Sequence, residues 1–205
     1  MDNIISIREK INQMAELVFS MLVDTHNGFM NHDLDMLTAV LKEEDNINNM
    51  ERSLSFALVE VSKEKSKAAD RRYIALLAEI IADLEEIGDY VKDMIERIEI
   101  KIQEKLFFSE EALSEYRHLY DVVHTALSDI VKSLKKEDKN FARRILGDEE
   151  HVNRLLARYR DAHMQRLISG ICDPRAGNMF LNLLDFTAQI FHHTKAIADN
   201  ILDLK

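Results

Sequence analysis

Met36-Leu37-Thr38-Ala39-Val40-Leu41-Lys42-Glu43-Glu44-Asp45-Asn46-Ile47-Asn48 and Phe141-Ala142-Arg143-Arg144-Ile145-Leu146-Gly147-Asp148-Glu149-Glu150-His151-Val152-Asn153 read as two copies of one pattern. Glu44 and Glu149 stand 105 positions apart, as do Asn48 and Asn153. Further along, Asp70 and Asp173 stand 103 apart, as do Ile87 and Ile190. A change of two in the offset, confined to the connection before the last helix of each copy, is what a shortened loop produces. The chain therefore uses one unit twice.

Each unit reads as three helices, because apolar residues recur at three- and four-residue spacing through six segments. The first runs from about Ile4 to Asn27, with Ile11, Met14, Ala15, Val18, Phe19 and Leu22 on one side, and Asn27-Gly28 is its expected stop. The second starts near Asn31 or Asp33, good capping residues, and continues to about Lys63. The third spans about Ala69 to Lys105. Ser109, followed by Glu110 and Glu111, opens the fourth, where the acids suit the helix N-terminal dipole. A single fifth helix is expected from near Glu137-Asp138 to just before Gly170. Asp173-Pro174 opens the sixth, which runs nearly to Lys205. The expected fold is all-α, with six long helices as two tandem three-helix bundles, residues 1–105 and 106–205, related by pseudo-twofold symmetry and packed as one rigid body.

Composition agrees. One Pro and five Gly in 205 residues leave few helix breakers. The formal net charge of −10 and the lack of any Lys/Arg stripe argue against nucleic-acid binding. Arg71-Arg72, Lys135-Lys136 and Arg143-Arg144 are isolated by acids and read as helix-surface charges. Cys172 is the only cysteine, so no intrachain disulfide forms and a reducing cytoplasm is the natural compartment. Charges from Asp2 onward exclude a signal peptide, and no segment approaches the ~20 apolar residues of a membrane helix.

The densest chemical feature is Glu79-Ile80-Ile81-Ala82-Asp83-Leu84-Glu85-Glu86-Ile87-Gly88-Asp89-Tyr90-Val91-Lys92-Asp93. Glu79 and Asp83, Glu85 and Asp89, and Asp89 and Asp93 are each four apart, so each pair stacks on one helix face. Like charges at that spacing repel and invite a compensating cation, although an ordinary solvated face is the simpler account. Gly88 costs about 1 kcal/mol against Ala in a helix interior, which makes sense where a neighbouring backbone or ligand comes close.

Asp83-Leu84-Glu85-Glu86-Ile87-Gly88-Asp89 followed by Asp93 resembles the Asp-Leu-Glu-Arg-Ile-Gly-Asp motif of the PhoU family, with Glu86 replacing the Arg and Asp93 a following Asn. The repeated Glu-Glu/Asn signature and the run Phe107-Phe108-Ser109-Glu110-Glu111 are similar to the same family. So is Arg160-Asp161-Ala162-His163-Met164-Gln165-Arg166-Leu167, which resembles in particular the C-terminal PhoU-like domain of bacterial sodium/phosphate cotransporters. The resemblance implies a non-enzymatic regulator of phosphate uptake. It would be a cytoplasmic module at the inner face of the membrane, on or fused to a phosphate transporter membrane domain, or docked on an associated sensor protein. Self-association into a homo-oligomer is also in the family's habit. The resemblance further implies bound metal, with Glu85, Asp89 and Asp93 as ligands to iron, zinc or another divalent cation, and Asp83 and His192 as secondary candidates. In the second unit Ala188 and His192 stand at the positions of Glu85 and Asp89, with His193 and Asp185 nearby, so the carboxylate pair is lost there.

Two rivals remain on sequence alone: a carboxylate-rich metal store or metalloenzyme, and a plain helical scaffold. Glu115-Tyr116-Arg117-His118 supplies one Glu-x-x-His pair, but a di-iron oxidase needs a second, and these residues read as the surface of the fourth helix. No phosphate-binding Gly-rich loop is present. Cys172 reads as a loop thiol and His163 as a packing or interface residue.

Overall fold

The apolar stripes fold as their period dictates. A computed structural model describes residues 2–63 and 67–204, and every regular element among them is an α-helix. These are α1 (Asp2–Asn31), α2 (Leu34–Lys63), α3 (Ala68–Gln103), α4 (Glu110–Lys136), α5 (Lys139–Ile145), α6 (Glu149–Ile168) and α7 (Pro174–Asp203). The capping residues behave as expected. Asp33 Oδ1 accepts from the Met36 N–H at 2.9 Å, and Ser109 Oγ from the Ala112 N–H at 3.2 Å. Asp173 Oδ1 accepts from the N–H groups of Arg175 and Ala176, beside Pro174 in the first turn of α7.

Two expectations need correction. Helix α1 does not stop at Asn27-Gly28; it continues to Asn31, and the left-handed residue that follows is His32, with φ of 54°. Gly28 instead permits close packing, since a Cβ there would lie 2.7 Å from Leu37 Cδ2 of α2. Nor is the fifth helix continuous. It breaks at Leu146-Gly147-Asp148 into α5 and α6, where the Asp148 N–H bonds to the Ile145 carbonyl and the Asp148 carbonyl accepts from the Val152 N–H. A mid-helix glycine followed by a turn-forming Asp is a sufficient local cause. The shift in repeat offset falls between Lys63 and Asp70 in the first unit and between Ile168 and Asp173 in the second; residues 64–66 lie outside the described ones.

Long helices α3 and α7 form the most extensive contact and run antiparallel through the middle. The direction follows from their pairs: Arg72 meets Asp203 at one end, Asp83 meets His193 midway, and Glu104 meets Arg175 at the other end. Helices α1 and α2 flank α3, while α4, α5 and α6 flank α7; α1 also packs on α4. One apolar core runs through both units, from Met14, Leu22 and Ile47 to Leu127, Val152 and Phe191. Burial of this size is what holds seven helices together.

The contacts obey the internal symmetry. At an offset of 103, Asp83 corresponds to Phe186 and Tyr90 to His193. Asp83 Oδ1 lies 2.9 Å from His193 Nδ1, and the symmetry-related contact is Tyr90 on Phe186, with ring centroids 6.1 Å apart. The pseudo-twofold axis therefore passes between these two contacts. The start of α1 and the end of α7 lie at the same end of the molecule, where Arg8 and Leu204 line one cavity of about 260 Å³. The turns around His32, Phe107 and Cys172 lie at the opposite end.

Candidate functional site

Gly88 fixes how closely the second and third helices approach. A Cβ at Gly88 would sit 3.3 Å from Ile47 Cγ2, so the missing side chain lets α2 settle against α3. One helical turn before Ile47, Glu44 is thereby pressed onto α3 and left only 5% exposed. A buried carboxylate needs partners. Lys92 Nζ donates to Glu44 Oε1 at 2.7 Å, and Asn48 Nδ2 donates to the same oxygen at 3.0 Å. Burial alone would raise the Glu44 carboxyl, but the hydrogen bonds from Lys92 and Asn48 outweigh it and hold Glu44 below the usual range. The hydrogen bond to Glu44 in turn raises the Lys92 ammonium.

Glu85 and Asp89 share the α2-facing side of α3, both partly buried. Burial, followed by the Asp89 charge, lifts the Glu85 carboxyl above its ordinary range; Glu86, Glu51 and Glu44 add to the repulsion. Burial and the Glu44 charge likewise lift Asp89, which shares a hydrogen bond with Glu44. The two carboxyls thus repel each other as their four-residue spacing predicts, and Lys92, paired with Glu44, eases the charge of Asp89. Asp93 lies partly buried one turn beyond Asp89.

The remaining candidates are spread apart. Asp83 faces α7 and pairs with His193, not with Glu85 or Asp89. His192 is partly buried with its ring edge-on to Phe191 at 6.2 Å, Ala188 is buried in the core, and Asp185 is held by Arg160 at 2.5 Å. Among the described residues, no group of three His, Cys, Asp or Glu side chains is gathered so as to hold a metal ion. With Glu44 already bonded to Lys92 and Asn48, the residues as arranged do not fit a resident metal.

Sequence reading missed the lysine, although the repeat carries it. Lys92 and Lys195 are 103 apart, as are Glu96 and Asp199. In the second unit Lys195 Nζ lies 3.4 Å from Glu149 Oε2 and 3.1 Å from Asp199 Oδ2. The Glu44–Lys92 bond and the Glu149–Lys195 bond are thus one clamp used twice, and applying the helix offset to every charged residue would have found it. The Glu-x-x-His pair of α4 also serves a different end. Glu115 takes two hydrogen bonds from Arg166 of α6, at 3.0 and 2.6 Å, and His118 Nδ1 shares one with the Tyr159 hydroxyl at 2.6 Å. These residues staple α4 to α6 instead of standing free on the surface. His163, 1% exposed, is buried between α6 and α7, as a packing role requires.

Two helical bundles that share a core about a pseudo-twofold axis, each clamped by a Glu–Lys pair, define a class of paired-bundle helical proteins. The crystal structure of PhoU from Pseudomonas aeruginosa superposes with a TM-score of 0.91 at 22% identity, covering 99% of this chain and 97% of that one. The PhoU domain profile matches residues 11–98 of this chain. Its relatives include the phosphate-specific transport system accessory protein PhoU of Escherichia coli, 29% identical over 153 residues, or 72% of this chain. The match spans 61% of the length of that relative. The Pseudomonas aeruginosa homologue of the accessory protein is 25% identical over 202 residues, 97% of this chain and 81% of the relative.

Proposed function

We propose that this chain is a non-enzymatic regulator of phosphate uptake, acting from the cytoplasmic side on a phosphate transporter or its associated sensor. The observation that carries this reading is the match of the PhoU domain profile to residues 11–98, in a chain whose relatives are named as accessory proteins of phosphate-specific transport. The geometry supports a contact surface over a reaction centre. Of the carboxylates that sequence reading singled out, Asp83 pairs with His193, while Glu85 and Asp89 repel one another on a helix face beside the Glu44–Lys92 pair. No helix among the described residues is long and apolar enough to cross a membrane, so action on a transporter would proceed by docking or through a covalent connection.

A finer form of the proposal has the chain acting on the membrane domain of a sodium/phosphate cotransporter. It rests on the resemblance of the stretch from Arg160 to Leu167, where Arg166 and Arg160 now also serve as inter-helix ties. Deleting the coding segment and measuring phosphate uptake tests the general reading. Uptake is expected to escape its normal restraint when phosphate is plentiful, and identical uptake at high and low phosphate with and without the segment would overturn it. Capture of a phosphate transporter from detergent-solubilised membranes by the purified chain tests the finer form.

A further inference from the structure

Lys101 is a buried cation without an acid. It lies in the last turn of α3, is 6% exposed, and none of the ion pairs among the described residues includes it. An ammonium has three N–H donors. One meets His32 Nε2 at 3.3 Å, and the rings of Phe29 and Phe108 lie 5.4 and 5.2 Å from Nζ. Ring faces favour a cation but accept no full hydrogen bond and neutralise no charge. Burial, with no carboxylate to offset it, lowers the Lys101 ammonium from its ordinary value. By contrast, the buried carboxylates Glu44 and Asp129 are matched by Lys92 and Lys132, and the partly buried Glu115 by Arg166.

Beside Lys101 lies a cavity of about 180 Å³, lined also by Phe29, His32, Phe107, Phe108 and Glu110. A water occupies about 30 Å³ of liquid, so the space exceeds the needs of a five-heavy-atom ion. The start of α4 borders it, and the positive end of that helix dipole favours anions. His32, which supplies the one polar contact, is the left-handed residue that follows α1, with φ of 54°. Glu110 is the single acidic lining residue; it is exposed and makes no ion pair with Lys101.

We infer that this cavity is a binding site for a small tetrahedral oxyanion, held by the free donors of the Lys101 ammonium and bordered by His32 and the first turn of α4. Phe107, 84% exposed at the rim, would cover the occupant and exclude water. The site lies at the turn end of the molecule, away from the Glu44–Lys92 clamp. It does not rest on the regulatory proposal, because binding is read on the purified chain alone.

The test is titration of the purified protein with inorganic phosphate, and separately with sulfate, at ionic strength held constant with chloride. Amide signals are followed by heteronuclear NMR. Saturable shifts centred on the His32, Lys101 and Phe108 amides are expected with at least one of the two ions. Lys101→Met, which removes a buried charge and leaves the stem, should weaken binding about tenfold or more, the scale of one lost charge-assisted hydrogen bond. Glu110→Gln removes the repelling rim charge and should tighten binding severalfold while leaving the cavity intact. Absence of saturation with both ions, or equal affinity in wild type and a folded Lys101→Met variant, would overturn the inference.

Discussion

The two units share a plan and differ in how they execute it. In the first, α2 is one unbroken helix, Gly88 admits it closely, and Glu44 is buried against Lys92. In the second, the corresponding helix breaks at Gly147, Phe191 stands where Gly88 would be, and Glu149 keeps 45% of its side-chain surface against Lys195. The close approach has moved toward the turn end. There Gly177 would place a Cβ 2.7 Å from His163 Nε2 and 3.0 Å from Leu167 Cδ2. Duplication preserved the pairing of charges, while the position of the glycine decides how deeply each pair is buried.

Installing the second unit's residue in the first breaks the contrast most severely. Gly88→Phe forces a ring between α2 and α3 where even a Cβ meets Ile47 at 3.3 Å, and overpacking of this kind should destabilise the protein by about 3 kcal/mol. Thermal or denaturant unfolding reads the loss directly. A change below about 0.5 kcal/mol would show that the close packing is not needed.

Removing the two lysines tests the same contrast at the level of charge. Lys92→Met strands the buried Glu44 carboxylate beside Asp89, with an expected cost of about 2 kcal/mol. Lys195→Met leaves a half-exposed Glu149 that water can solvate and should cost about 0.5 kcal/mol or less. Equal losses would mean that burial does not distinguish the clamps. Metal analysis of the same proteins sharpens the point. Wild type should hold less than one divalent ion per chain, whereas Lys92→Met, having lost its internal cation, should take up more.

Acidification probes the seam between the units. His26 of α1 stacks on Tyr120 of α4 with centroids 3.7 Å apart, and burial lowers it from 6.5 to about 4, against the opposing pull of Asp121. The unfolded chain takes up this proton below pH 6.5, but the folded chain only below about 4. Folding stability should therefore fall as the pH drops through that window, by about 2 kcal/mol for this partly exposed group. His26→Phe should flatten that stretch of the stability profile. The depressed Glu44 carboxyl acts at lower pH: its contribution is complete above its unfolded value of 4.5 and is lost as pH falls through its lower folded value. Glu85 and Asp89, raised in the folded state, work in the opposite direction, gaining stability on protonation.

Local signals were legible because they act within a few residues. Periodicity, the caps at Asp33, Ser109 and Asp173, and the duplicated pattern place the helices and their pairing. Gly28 and Gly147 show where such reasoning stops. Both are glycines with polar neighbours, yet one lies inside a helix that packs against Leu37 and the other ends a helix. Only the facing element decides between those outcomes. The acidic face of α3 was readable from four-residue spacing, whereas burial of Glu44 depends on where α2 lands. Lys101 gave no signal in sequence, because its burial without an ion pair is a property of the assembled end of the bundle.

The start of α1 and the end of α7 lie at one end of the molecule, and the Lys101 cavity lies at the other. With α7 rising 1.5 Å per residue over its 30 residues, the separation is about 45 Å. A fluorophore or affinity handle attached near the start of α1 or the end of α7 would thus stand well clear of the rim formed by Phe107. Surface immobilisation through the start of α1 or the end of α7 would leave that rim facing the solution.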